Sequence, residues 1–246
     1  MSFESYTDCL LRAFQSHPKS SDVVKRKQEI LKGVAEFHNF VPDSVLYVGF
    51  NPAILAETAN TISVTYISKE ARDFLNEHGI QFTYIPPENL HKFQKYFESV
   101  VALDEYFTFA NTDQDQRTRV EEICNLATEY MITTCKDYKN QEFKDREFSV
   151  PALIRTEESN DIYLEFHDHD IHDRNSWSTN VYEISDKNMN AVGPFDRRAL
   201  FFKQLAKFTS DAGAVGFSVH KNLMYKSLIK KNYEHVISIR FDNNGH

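Results

Sequence analysis

Apolar residues recur at helical spacing near the start of the chain and form short continuous runs farther along. In two stretches, 4–16 and 22–38, apolar positions alternate with charged ones at helical spacing, which predicts two amphipathic helices. From Val45 onward, apolar or β-branched runs alternate with charged segments. These patterns predict strands at 45–50, 62–67, 80–85, 99–103 and 130–135, and helices at 54–59, 69–78, 88–97 and 113–129. Such alternation is typical of a doubly wound, mostly parallel α/β sheet.

The pattern changes again after residue 136. A highly charged stretch at 136–148 predicts a loop or short helix, and antiparallel strands are predicted at 151–157, 161–168 and 177–185. The remaining elements are a helix at 196–211, a strand at 214–220, a helical link at 225–232 and a strand at 235–241. We therefore expect a single domain made of an N-terminal helical cap at 1–42, an α/β core at 43–139 and 193–246, and a β-rich insertion at 140–192.

Composition narrows the range of functions. The 246 residues include only 7 glycines, against 20 phenylalanines and 12 tyrosines, and no glycines are spaced as phosphate-binding loops or nucleophile elbows require. P-loop NTPases, standard dinucleotide-binding domains and α/β-hydrolases are therefore disfavoured. The net charge of −8 does not indicate a nucleic-acid partner, and no apolar run approaches the roughly 18 residues of a membrane span. The acidic, amphipathic start is unlike a secretory signal, and three widely spaced cysteines predict reduced thiols in a cytoplasmic protein.

Two N-terminal helices, alternating strand–helix units and a closing pair of strands form a layout with a known counterpart. It resembles the class I S-adenosylmethionine-dependent methyltransferase fold over about residues 20–241. The resemblance implies a sheet of about seven strands, mostly parallel, with a late antiparallel strand. It also implies S-adenosylmethionine as the cofactor and a small or macromolecular methyl acceptor whose identity the sequence does not give.

The resemblance places a cofactor site at the carboxyl ends of the first three strands. In this chain those positions are Val48, Gly49, Phe50, Asn51, Ser68, Pro86 and Glu88. Of the family's glycine-rich turn only Gly49 is present, Tyr47 stands where an acidic residue is usual, and Ser68 stands where a carboxylate binds the ribose. Each missing hydrogen bond costs about 1–3 kcal/mol of binding. Either other residues rebuild the contacts, or the fold no longer supports methylation.

A candidate catalytic group follows the fourth predicted strand. Asp104, Glu105 and Tyr106 lie there, at the sheet edge where open α/β sheets bind ligands, and they correspond to the family's acidic or aromatic motif after strand four. A carboxylate in this position orients an acceptor amine or acts as a general base. The alternative interpretation is that Asp104 only caps a loop.

A dense histidine and aspartate cluster spans 167–173. If the preceding strand continues, His167 and His169 point to the same face, and Asp170 or His172 completes a candidate metal site. The spacing resembles the H-x-H-x-D-H pattern of metallo-β-lactamase-like hydrolases, but Ile171 stands where that family has an aspartate. A solvated hairpin end and a substrate-recognition loop are the alternatives.

Three functional hypotheses follow. The first is transfer of a methyl group from S-adenosylmethionine, with Asp104 or Glu105 as the base or amine-orienting group. The second is a non-catalytic, methyltransferase-like binding or structural module of a larger assembly. The third is a metal-dependent enzyme that uses the three histidines, with the metal unknown. The sequence leaves the oligomeric state open.

Overall fold

The computed structural model describes residues 2–136, 146–155, 160–170, 172–173, 175–186, 188–229 and 233–242. Within these ranges the helices are α1 (Phe3–Gln15), α2 (Ser20–His38), α3 (Lys69–Glu77), α4 (Asp113–Cys124) and α5 (Phe202–Asp211). The strands are β1 (Ser44–Val48), β2 (Thr61–Thr65), β3 (Thr83–Tyr84), β4 (Phe97–Ala102), β5 (Ala127–Cys135), β6 (Arg146–Arg155), β7 (Asn160–His169), β8 (Ser176–Ile184), β9 (Met189–Arg198), β10 (Ala214–Tyr225) and β11 (Glu234–Phe241).

The main sheet has seven strands in the order β10-β11-β5-β4-β1-β2-β3. Strands β1 to β5 pair in parallel, and β11 lies antiparallel between β5 and β10. The strand order reverses between β1 and β4, which in an open α/β sheet is where ligands bind beyond the carboxyl ends of the strands. The expected doubly wound sheet with a late antiparallel strand is confirmed.

Several predicted helices are wrong or shortened. The segment 88–97 forms only a 3₁₀ turn at Pro87–Lys92, because the backbone N–H groups of Lys95 and Phe97 donate to carbonyls of the neighbouring 125–126 turn. The segment 54–59 is likewise a 3₁₀ turn at Pro52–Ala56, since extended backbone at Glu57 ends it.

The remaining differences are at element boundaries. The helix predicted at 113–129 ends at Cys124 because β5 begins at Ala127 to pair with β4, and the helix predicted at 196–211 begins only at Phe202 because β9 runs to Arg198. Strand 80–85 shortens to β3. The helix predicted at 225–232 is absent over its described part, 225–229, and residues 230–232 lie outside the described ranges.

A second, antiparallel sheet has the order β6-β7-β8-β9. Strand β9 was not predicted, because Gly193 and Pro194 interrupt its alternating pattern. The division of the chain into cap, core and insertion stays a prediction.

Helix α1 packs between the two sheets. Its Tyr6 ring meets Phe195 of β9 edge to face at 5.5 Å, and its Arg12 forms a 2.8 Å ion pair with Glu183 of β8. On its other side Thr7 donates a 3.1 Å hydrogen bond to the carbonyl of Tyr66, next to β2. A helix with contacts to two sheets needs a wide apolar face. Its buried residues are Phe3, Tyr6, Thr7, Cys9, Leu10, Leu11, Ala13 and Phe14.

The three cysteines lie in the protein interior. Cys9, Cys124 and Cys135 are buried and unbridged, and burial raises the pKa of the Cys124 thiol to about 12. Buried thiols with raised pKa values are poor nucleophiles.

Among the described residues, no helix combines the length and the apolar composition needed to span a bilayer.

Candidate functional site

The turn after β1 is held tightly against α1. Gly49 has φ +83°, and its N–H donates to the carbonyl of Thr65 at 2.8 Å. A Cβ atom at Gly49 would lie 2.6 Å from Thr7 Cγ2 and 2.7 Å from Phe3 Cε1. Such distances are far below van der Waals contact. The close approach that a glycine permits here is therefore made to the chain's own first helix.

The other residues of the β1 turn take part in local structure. Val48 and Phe50 are buried, and the Phe50 ring packs against Phe14 and Phe74 at 5.9 Å from each. Asn51 Oδ1 accepts the Ala53 N–H at 2.8 Å and so caps the following 3₁₀ turn. The expected contact positions of this turn therefore already have partners within the chain.

The predicted cofactor-contact positions after β2 and β3 also belong to local structure. The Ser68 hydroxyl accepts the Ala71 N–H at 3.1 Å and caps α3. Pro86 precedes the 3₁₀ turn that begins at Pro87, and Glu88 is exposed on that turn. At the position of the family's acidic residue, the Tyr47 hydroxyl donates to Glu57 at 2.6 Å. The acidic side chain in this part of the fold is therefore supplied by Glu57 and not by the residue at position 47.

Asp104 and Glu105 sit in an unusual backbone conformation at the end of β4. Their φ angles are +56° and +53°, and both side chains are buried. Two consecutive left-handed residues other than glycine cost roughly 1–2 kcal/mol each. Strain of this kind is concentrated at functional sites, where the surrounding structure holds it in place.

Asp104 is part of a polar network beneath the sheet edge. Its Oδ2 accepts a 2.9 Å hydrogen bond from the Tyr225 hydroxyl, which itself accepts from Asn51 Nδ2 at 3.2 Å. The Lys27 ammonium lies 3.4 Å from the centre of the Tyr225 ring and donates to the Lys226 carbonyl. Asp104 Oδ1 is buried and has no hydrogen-bond partner among the described residues. Such an atom is an open acceptor inside the protein.

Burial sets the protonation of this network. Desolvation lowers the pKa of the Lys27 ammonium to about 8, although the carboxylates of Asp104 and Glu234 favour its charged form. Desolvation, together with the negative charge of Asp104, raises the pKa of the Tyr225 hydroxyl well above its ordinary value. Tyr225 therefore stays a neutral hydrogen-bond donor to Asp104 at physiological pH.

Glu105 points to a different set of partners. Its Oε2 lies 3.2 Å from Arg197 of β9 and 3.7 Å from the Lys136 ammonium. Arg197 Nε also donates to the Thr108 hydroxyl at 2.7 Å, and its guanidinium lies 3.9 Å from the centre of the Phe109 ring. This buried ion pair ties the second sheet to the end of β4. Of the two carboxylates, Glu105 is therefore engaged structurally and Asp104 has the open acceptor atom.

Tyr106 belongs to an aromatic cluster with α1. The Phe3 ring meets the Tyr106 ring at 4.7 Å and the Phe109 ring at 4.8 Å, both edge to face. Desolvation raises the pKa of the Tyr106 hydroxyl well above its ordinary value. Tyr106 is completely buried in this packing.

The described residues of the histidine cluster are not grouped as the ligands of one metal ion. His167 and His169 both lie beside Trp177, at ring distances of 6.4 and 5.6 Å, as expected for one face of β7. His167 Nδ1 is 2.9 Å from the Thr179 hydroxyl, and His172 is exposed in the following turn. Within the described parts of the chain, no three histidine, cysteine or acidic side chains are grouped to hold a metal ion. The metal interpretation is not supported.

In this conformation α1 fills the space on the Cβ side of Gly49, so the turn at which the resemblance places the cofactor is not open to S-adenosylmethionine. Sequence analysis missed the residues responsible, Phe3 and Thr7, as well as Lys27, Arg197 and Tyr225 at the same edge. One signal was available for α1: its apolar residues form one broad face of the predicted helix, which indicates that much of this helix is buried.

The strand order and the antiparallel β11 define a class I methyltransferase-like fold. The structure is similar to the CcbJ methyltransferase of Streptomyces caelestis, with TM-score 0.61, 14% identity and 89% of each chain covered. A S-adenosylmethionine-dependent methyltransferase of Clostridium acetobutylicum gives TM-score 0.62 at 10% identity, covering 89% of this chain and 92% of that one. CalS10, an amino pentose methyltransferase of Micromonospora echinaspora solved with S-adenosylmethionine bound, gives 0.60 at 10% identity over 98% of both. No family model and no curated protein sequence matches the chain.

A pair of alanine substitutions measures the contact between α1 and the β1 turn. Gly49 and Gly79 both have positive φ, but a Cβ at Gly79 would meet nothing within 4 Å. We expect Gly79→Ala to cost about 1 kcal/mol for the backbone alone, and Gly49→Ala to cost about 3 kcal/mol because the methyl group also overlaps α1. Urea unfolding of both variants measures the difference. Equal losses would show that Thr7 and Phe3 do not press on Gly49.

The Lys27 environment predicts a pH dependence of stability. The pKa of Lys27 is about 8 in the fold against 10.5 for an ordinary lysine, so the unfolded chain binds more protons between these values. Wild type therefore gains stability relative to Lys27→Met as the pH rises, by about 2 kcal/mol between about pH 7.5 and 9.5. Denaturant unfolding at both pH values measures this gain. A constant difference between the two proteins would contradict the buried, destabilised ammonium.

Proposed function

We propose that this chain transfers a methyl group from S-adenosylmethionine to an acceptor at the carboxyl edge of its main sheet. The observation that carries the proposal is Asp104: a buried carboxylate after β4, in a strained backbone conformation, with one oxygen that has no hydrogen-bond partner among the described residues. The class I methyltransferase-like fold supports the choice of cofactor, which supplies an activated methyl group.

Asp104 is suited to orient an acceptor. The Tyr225 hydroxyl fixes Oδ2, so that Oδ1 stays available to accept a hydrogen bond from an amine or hydroxyl. Alignment of acceptor and methyl group accounts for much of the catalysis of such a transfer. The acceptor's identity stays open; CalS10 acts on an amino pentose and KedS8 is a sugar N-methyltransferase, which makes amines the first acceptors to test.

A second candidate function is a non-catalytic, methyltransferase-like module. It is favoured by the position of α1, whose Phe3 and Thr7 fill the space above the β1 turn. The capping roles of Asn51 and Ser68 also favour it, since these side chains serve the chain's own backbone.

Ligand titration separates the two candidates. Isothermal titration of the full chain with S-adenosylhomocysteine, with ATP as the control ligand, tests for a specific cofactor site. The proposal expects saturable binding of S-adenosylhomocysteine at a Kd of roughly 10⁻⁴ M, about −5.5 kcal/mol, and none of ATP. Absence of binding at millimolar S-adenosylhomocysteine would contradict methyl transfer and favour the non-catalytic module as the function.

The role of Asp104 is tested with a matched acid-to-amide pair. With methyl-labelled S-adenosylmethionine and a panel of amino sugars, we expect Asp104→Asn to lower methyl incorporation by about 10²-fold or more, because the acceptor loses its base or orienting group. Glu88→Gln changes an exposed acid after β3 and should retain full activity. Equal activities of the two variants would remove Asp104 from the reaction.

A further inference from the structure

We infer that the first two turns of α1 and S-adenosylmethionine compete for one space, so that the cofactor binds only after residues 2–7 have left the sheet edge. The inference rests on the proposed function. It differs from a lid that closes over a bound cofactor, because α1 contacts the β1 turn directly. Thr7 Cγ2 and Phe3 Cε1 lie 2.6 and 2.7 Å from the position of a Cβ on Gly49. That is the side of the turn on which a glycine allows close approach.

The competing residues form a defined patch. The Phe3 ring packs against Tyr106 and Phe109 at 4.7 and 4.8 Å, beside the strained end of β4. The Thr7 hydroxyl donates to the Tyr66 carbonyl at the end of β2 at 3.1 Å. Two turns of α1 thereby touch the residues that follow three parallel strands, β1, β2 and β4. These strand ends form the edge at which an open α/β sheet binds its ligand.

The first two turns can separate from the rest of α1. The later turns are fixed by the ion pair of Arg12 with Glu183 and by buried Leu10, Leu11 and Phe14. At the start of the helix, Ser2 is exposed, and its hydroxyl oxygen caps α1 by accepting the Ser5 N–H at 3.3 Å. The N–H groups of a first helical turn have no partners inside the helix, so this turn unwinds at lower cost than the middle. Unwinding of residues 2–7 uncovers Gly49 and separates Tyr6 from Phe195, whereas the ion pair of Arg12 with Glu183 stays in place.

Binding to a closed edge is weakened by the fraction of molecules in which the edge is open. A substitution that destabilises only the closed form therefore strengthens binding. Phe3→Ala removes the ring that packs on Tyr106 and Phe109, and we expect the Kd for S-adenosylhomocysteine to fall by about 10- to 100-fold relative to wild type. Phe97→Ala is the matched control, because Phe97 is a fully buried phenylalanine at the opposite end of β4. Its Kd should equal that of wild type.

Hydrogen exchange of the wild-type chain gives an independent readout that needs no variant to fold. Competition predicts that saturating S-adenosylhomocysteine speeds exchange of the amides of residues 3–7 and leaves those of residues 10–14 unchanged. A lid that closes over the cofactor predicts slower exchange at 3–7.

The outcomes separate this inference from the proposed function. Tighter binding by Phe3→Ala together with faster exchange at 3–7 supports competition. Equal Kd values for wild type and Phe3→Ala, or slower exchange at 3–7, overturn competition and leave the proposed cofactor site intact. No binding by wild type or Phe3→Ala at millimolar S-adenosylhomocysteine overturns the proposed function, and the competition with it.

Discussion

The structure depends on the packing of α1 between its two sheets. Tyr6 and Arg12 join the helix to the second sheet, and Phe3 and Thr7 join it to the β1 turn of the main sheet. Burial of one large apolar side chain contributes about 1.5–3 kcal/mol, whereas a whole domain is stable by about 5–15 kcal/mol. The large apolar residues that α1 buries, Phe3, Leu10, Leu11 and Phe14, therefore contribute to the stability of the fold. An opening confined to the first turns of α1 keeps the contacts of Leu10, Leu11 and Phe14.

The packing of α1 between the two sheets also explains which partners the polar side chains at the sheet edge have. In this chain the side chains of Asn51 and Ser68 cap the elements that follow them, and Glu105 is paired with Arg197. These groups hold α1, the second sheet and the strand ends together. A shared fold therefore does not by itself transfer an activity, because activity depends on the side chains at the site. Asp104 is the exception at this edge, since one of its oxygens is not used by the chain among the described residues.

Local signals predicted the main sheet well. Short β-branched runs, the Ser68 cap and the Gly79 stop are features of a few neighbouring residues, and they place β2 and α3 correctly. The failures depend on distant partners. The helix predicted at 88–97 does not form, because the backbone there is hydrogen-bonded to the 125–126 turn. The contacts of Phe3 with Tyr106 and of Arg197 with Glu105 join positions about a hundred residues apart, which local periodicity does not predict. The acidic pair at 104–105 was found because it directly follows a predictable strand, but the packing of α1 over the same edge was not.

The closed edge combines a stabilising and a destabilising contribution. Phe3 and Thr7 bring apolar contact to the β1 turn, but they bring no charge and no hydrogen-bond donor to Asp104 Oδ1. A buried acceptor without a partner costs about 1–3 kcal/mol, and more when it is charged. The backbone strain at Asp104 and Glu105 adds a cost of similar size. Closure by two helical turns is thus opposed by the cost of the unpartnered Asp104 oxygen, which a hydrogen bond from an amine or hydroxyl group of a ligand relieves. Two opposing contributions of comparable size are the condition under which a ligand shifts a population between closed and open forms.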